Sequence, residues 1–115
     1  MRTINFYHSS NGRCPVEDFL DGLSDTHAQK VTWVLRLVSK VDRVPEQYFK
    51  KLSGIDDLWE VRIQFAGMSY RLLGFFHGST MIVLTNAFAK KRQTTPKQEI
   101  DLAITMRTDY LKRKN

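Results

Sequence analysis

Residues 58–65 read LWEVRIQF, and their alternation fits an extended strand. Trp59, Val61, Ile63 and Phe65 then point to one side while Glu60, Arg62 and Gln64 point to the other. The small AGMS segment follows, Tyr70 to Phe76 is strand-like again, and the two runs read as a hairpin. After His77-Gly78-Ser79 the run MIVLTNAF is almost unbroken in apolar residues, as expected of a strand covered on both faces. The rest of the chain has to supply that covering.

Residues 2–7, RTINFY, predict a short first strand with Ile4 and Phe6 on one face. Pro15 suits the first position of a short helix that closes near Gly22. Ser24 is placed to cap a second helix, with Asp25 in its first turn and Ala28, Val31, Val34, Leu35 and Val38 along one face. So short a turn between them predicts an antiparallel helical hairpin. Pro45 bars any further helix, Tyr48 to Leu52 is a brief edge strand, and Ser53 to Asp57 is turn chemistry. Thr95 as cap, Pro96 at the first helical position and Gln98 reaching back open a last helix, with Ile100, Ala103, Ile104, Met106, Tyr110 and Leu111 to dock it. No repeat or linker interrupts residues 1–115. The expectation is a single α+β domain: a small twisted sheet containing antiparallel strands, an N-terminal helical hairpin and a C-terminal helix.

A chain of 115 residues can bury a core without metal or disulfide support, and 42% hydrophobic with 26% charged residues is ordinary for a globular domain. No apolar run reaches the roughly 18 residues of a membrane helix, and the start lacks the apolar centre of a secretory signal. Cys14 is the single cysteine, so no intrachain disulfide forms, and a cytoplasmic setting is expected. The net charge of +6 is unevenly placed: the last 26 residues hold eight Lys or Arg against three Asp or Glu. Such an excess suits a polyanion partner, or else a solvated basic helix.

If the AGMS loop pairs Phe65 with Tyr70, Gln64 faces Arg71, Arg62 faces Leu73, and Arg62 and Arg71 are diagonal neighbours. Two guanidiniums that close repel, and an anion between them would relieve the repulsion; planar Arg forks match phosphate oxygens. The alternative is a surface pair of Glu60 with Arg62, worth about 0–1 kcal/mol. Lys90, Lys91 and Arg92 leave the third strand within reach of the same patch. Cleaving RNA by attack of its own 2′-hydroxyl needs a base, cations for the phosphoryl oxygens and an acid for the leaving 5′-oxygen. Arg is a poor base, so Glu60 and Glu46 are the candidate bases, and a lysine is a candidate acid. Lys50, Lys51, Arg92 and Tyr70 are the expected RNA contacts. His8, His27 and His77 make no pair at ligand spacing, so neither metal nor other cofactor is expected, and Cys14 reads as structural.

The runs KKLSGIDDLWEVRIQFAGMSYRLLGFF and IVLTNAFAKKRQTTPKQEIDLA resemble the RelE/ParE toxin superfamily, within it the phage-derived HigB-like branch. The resemblance rests on Leu58-Trp59-Glu60-Val61-Arg62, Tyr70-Arg71, Ala87-Phe88 with Lys90-Lys91, Thr95-Pro96 and Glu99-Ile100, and more loosely on Pro15-Val16 with Phe19-Leu20. It implies a RelE-like fold and the toxin of a type II toxin–antitoxin pair, a metal-independent, ribosome-dependent mRNA endoribonuclease. It also implies neutralisation by a HigA-like helix-turn-helix antitoxin. By position Arg71 matches the phosphate-stabilising arginine, Arg62 a basic position on the preceding strand, and Lys90 or Lys91 the basic residue proposed as acid. Glu60 stands where a lysine can stand, and Pro96 near where a tyrosine stacks on the base.

Two other functions use the same surface. A ParE-like inhibitor of DNA gyrase shares the fold and cuts no RNA; the cluster of Arg62, Arg71 and Lys91 favours the nuclease. A non-catalytic nucleic-acid-binding module would use Tyr70 or Phe88 as a stacking platform.

Overall fold

The computed structural model describes residues 1–91 and 94–114, without the side chain of Lys114. Strand β1 (Thr3–Phe6) is followed by helices α1 (Pro15–Asp21) and α2 (Asp25–Lys40), strands β2 (Phe49–Lys51), β3 (Trp59–Phe65), β4 (Met68–His77) and β5 (Met81–Ala89), and helix α3 (Lys97–Lys114). The sheet order is β1-β5-β4-β3-β2. β1 runs parallel to β5 and the other pairs are antiparallel, so the sheet is mixed.

Local chemistry explains the first two helices. Pro15 opens α1 and Gly22 caps it, while Ser24 accepts from the His27 N–H at the start of α2. The helical pair does not begin the chain, since β1 precedes it. α1 packs on β5 and α2 on β3, so the sheet rather than a helix–helix seam organises them. Val31, Val34, Leu35 and Val38 are buried against Val61, Ile63, Tyr70, Leu72, Ile82 and Leu84.

The opposite face carries α3. Ala103 and Ile100 meet Leu58 and Leu73, while Met106 and Tyr110 meet Tyr7, Phe75 and Val83. Leu111 does not dock and remains exposed. Much of the basic charge of α3 is engaged in holding it down. Arg107 donates to the carbonyls of Asp56 and Asp57, and Arg113 reaches Asp109 and the carbonyl of His8.

Two details of the sheet differ from the expected layout. The β3–β4 turn is the two-residue pair Ala66-Gly67, both at positive φ, so Phe65 faces Met68 rather than Tyr70. In β5, Thr85 is an extra residue opposite the Leu73–Gly74 step, a bulge that reverses which face each later residue of β5 occupies. Gly74 lies so close to β5 that a Cβ there would sit 2.6 Å from the Val83 carbonyl oxygen.

Candidate functional site

The two-residue turn sets the geometry of the site. It brings Arg62 and Arg71 directly opposite each other across the β3–β4 ladder, closer than the diagonal arrangement expected. Glu60 lies on the same face two residues before Arg62 and is buried, with Lys50 of the edge strand facing it. Glu60 Oε1 lies 3.4 Å from Nε of both Arg62 and Arg71. Its other oxygen, Oε2, accepts the Thr95 hydroxyl at 2.6 Å.

Among the described residues neither Nε–H has an acceptor at hydrogen-bond geometry, although both atoms are buried. Glu60 meets both guanidiniums at ion-pair distance, longer than a close hydrogen bond. Arg71 is fixed instead through Nη1, which donates to Ser69 Oγ and the Tyr70 carbonyl, and Arg62 Nη1 donates to the Glu46 carbonyl. Burial lowers the Arg71 pKa below the ordinary guanidinium value, and nearby Arg62 lowers it further while Glu60 opposes both.

Lys90 completes the cluster. Its N–H donates to the Ser69 carbonyl, which extends the β4–β5 ladder by one step and keeps Lys90 on the side of Phe88 and Arg71. Burial depresses its ammonium, and Arg71, Arg62 and Lys50 add repulsion that Glu60 only partly offsets. Four cations thus share one carboxylate. Beside them a cleft is lined by Lys30, Gln47, Tyr48, Arg62, Gln64 and Arg71.

The family described as phage-derived protein Gp49-like (DUF891) matches residues 18–108. The chain belongs to the Gp49-like family. That family is toxin-like and lies in the RelE/HigB area. No curated protein matches the chain.

In this Gp49-like chain the expected site residues divide. Arg62, Arg71, Glu60, Lys50 and Lys90 converge on one face. Lys91 is exposed beyond the end of β5, and Arg92 lies outside the described residues. Lys51 pairs with Trp59, which alternation places on the other face from Lys50. Tyr70 as an RNA contact is corrected: it is buried toward α2, with its hydroxyl 2.8 Å from His27 Nδ1. Adjacent strand residues point to opposite faces, so Tyr70 cannot share the side of Arg71. Phe88, half-buried, packs against the cluster of Leu58, Leu73 and Ala103. Glu46 is exposed and offers Arg62 its backbone carbonyl. Lys30 and Gln47 were not expected at the cleft; their approach depends on how α2 and the segment before β2 pack, for which the sequence carries no local signal.

Thr95 takes a different part from the one its position suggested. α3 begins at Lys97, and the Thr95 hydroxyl turns to Glu60 instead of closing a capping box. The carboxylate is thereby tied to the approach of the C-terminal helix. Among the described residues no helix is long and apolar enough to cross a membrane.

Proposed function

We propose that this chain is the toxin of a type II toxin–antitoxin pair, of the HigB-like branch, and that it cleaves mRNA on the ribosome. The observation that carries the reading is the register pair Arg62–Arg71, two guanidiniums directly opposite each other that share one carboxylate oxygen, Glu60 Oε1, at 3.4 Å. Two forks directly opposite each other, with a single carboxylate between them and Lys90 beside them, are what a phosphodiester would bind.

In this reading a backbone phosphate settles against Arg62 and Arg71, which stabilise the charge that grows on its oxygens as the 2′-hydroxyl, giving its proton to a solvent water, attacks phosphorus and the bond to the 5′-oxygen breaks. One such preorganised donor typically contributes about 3–4 kcal/mol to the barrier. Lys90, with its ammonium held below the ordinary lysine range, gives its proton to the departing 5′-oxygen more readily than a solvated lysine would. Glu60 serves as the counter-charge that keeps two guanidiniums together before RNA arrives. Its oxygens are turned toward Arg62, Arg71 and Thr95, so this role suits its contacts better than proton abstraction. The antitoxin, a HigA-like helix-turn-helix protein, would mask the cationic face with an acidic segment.

Gyrase inhibition is the competing reading and needs no phosphate site. The experiment is to induce the chain and Arg71→Ala in growing cells and to map mRNA 5′ ends inside translated frames. The expected result is in-frame cleavage and growth arrest with the parent, and loss of both with the variant at equal protein level. Intact transcripts with DNA-damage signalling, or undiminished cleavage by the variant, would refute the nuclease.

A further inference from the structure

Away from the cationic cluster, the loop between β1 and α1 brings together three residues of different chemistry. One ligating atom from each of His8, Cys14 and Glu17 lies within 4.8 Å of the other two. We propose that His8, Cys14 and Glu17 form a site for a borderline-soft divalent cation of the zinc class, with the fourth position open to water or to a side chain of a binding partner.

Three observations support this. First, the donor set of one thiolate sulfur, one imidazole nitrogen and one carboxylate oxygen is drawn from the ligands that Zn²⁺ takes, and three protein ligands with one open position is a recurrent arrangement for it. Second, His8 is oriented as a ligand. Its Nδ1 lies 3.0 Å from the Phe6 carbonyl, which can only accept, so Nδ1 is the donor there and Nε2 is the ring nitrogen turned toward Glu17. That Nε2 is 3.9 Å from Glu17 Oε1, little more than the roughly 3.5 Å edge of a tetrahedral zinc site. A backbone carbonyl holding the remote nitrogen is the usual outer support of a metal-bound histidine.

Third, the loop is already shaped. The Ser9 N–H donates to the Arg13 carbonyl, Gly12 donates back to the Ser9 carbonyl, and Ser9 Oγ accepts from the Arg13 N–H, which closes residues 9–13 into a compact turn. Cys14 is a buried anchor, whereas His8 and Glu17 are exposed at the rim of the site. Without a cation, burial raises the Cys14 pKa and keeps the thiol protonated. On binding, the sulfur exchanges that proton for the metal, the proton passes to solvent, and no oxidation is involved.

The site is independent of the proposed nuclease. Cys14 belongs to the core between the sheet and α1–α2, whereas Arg71 and Glu60 face the α3 side. Arg113 donates to the His8 carbonyl and pairs with Asp109, while Arg13 belongs to the loop itself.

The test uses the full chain stripped of metal and titrated with Co²⁺ and Zn²⁺. Co²⁺ should bind one to one with a near-ultraviolet sulfur-to-metal charge-transfer band, and Zn²⁺ should displace it. His8→Gln and Glu17→Gln, both at exposed positions, should each weaken binding by more than about 1,000-fold, beyond the roughly 10–100-fold that loss of an outer support costs. Cys14→Ser should abolish the charge-transfer band. Absence of the band in the parent, affinities unchanged in His8→Gln and Glu17→Gln, or no binding at millimolar metal would each overturn the proposal.

Discussion

Glu60→Gln isolates what the carboxylate does. The substitution keeps the shape of the side chain and an oxygen for Thr95, but removes the one negative charge that lies 3.4 Å from both Arg62 and Arg71. With an effective dielectric of about 20, each contact at that distance is worth ~5 kcal/mol of Coulomb attraction before desolvation is subtracted. Breaking a buried ion pair by removing one partner leaves a net loss of about 3–5 kcal/mol. That is a large share of the ~5–15 kcal/mol that stabilises an ordinary domain. The melting temperature of the variant should fall by roughly 10–20 °C. The assay is thermal unfolding by circular dichroism in dilute chloride buffer, repeated with sulfate. Sulfate raises the stability of most proteins by exclusion, so the quantity that matters is the difference between variant and parent. An anion that replaces the lost carboxylate binds the folded variant and should narrow the gap. A variant within about 1 kcal/mol of the parent, or sulfate acting equally on both, would refute the view that Glu60 holds two repelling cations together.

Three other outcomes follow from the same coordinates. Gly74→Ala should lower the urea midpoint by an amount equivalent to about 1–3 kcal/mol, because the new methyl meets the Val83 carbonyl at 2.6 Å; an unchanged midpoint would show that β4 and β5 can separate there without loss. Ala66→Asn should raise stability by about 0.5–1 kcal/mol in the same assay, since Ala66 holds φ 52, a conformation that asparagine tolerates better; a fall would count against the turn assigned. Asp109 accepts from the Tyr7 hydroxyl and pairs with Arg113, and these hold its carboxyl below the ordinary 3.8. A depressed carboxyl contributes stability that is complete above its unfolded pKa and is lost as pH falls through the folded one. The melting temperatures of Asp109→Asn and the parent should therefore differ by a constant amount above about pH 5 and converge below it, and a gap that persists into strong acid would contradict the pairing.

What could be read from the chain beforehand was what is decided within a few residues. Pro15, Gly22 and Ser24 delimit helices through their own backbones, and the alternation of 59–65 is a property of one strand. The turn at 66–67 escaped because alanine does not advertise positive φ. Counting four residues instead of two misplaced the cross-strand partners of Arg62 and Arg71, while leaving both on the face where they belong. Tyr70 was grouped with Arg71 by adjacency, although adjacency on a strand means opposite faces. Thr95 showed every local sign of a cap, but a buried carboxylate 35 residues away in the chain claims its hydroxyl. Lys90 joined the cluster, while Lys91 beside it did not.

The bulge at Thr85 is a phase shifter. Before it, Ile82 and Leu84 look toward α1 and α2; after it, Asn86, Phe88 and Lys90 look the other way, toward the helix that closes the domain. Unbroken alternation through Thr85 would instead turn Asn86, Phe88 and Lys90 toward α1 and α2 and carry the Lys90 ammonium to the wrong side of the sheet. One unpaired residue in mid-strand thus lets a single strand serve the helical layer on one side and the cationic cluster on the other.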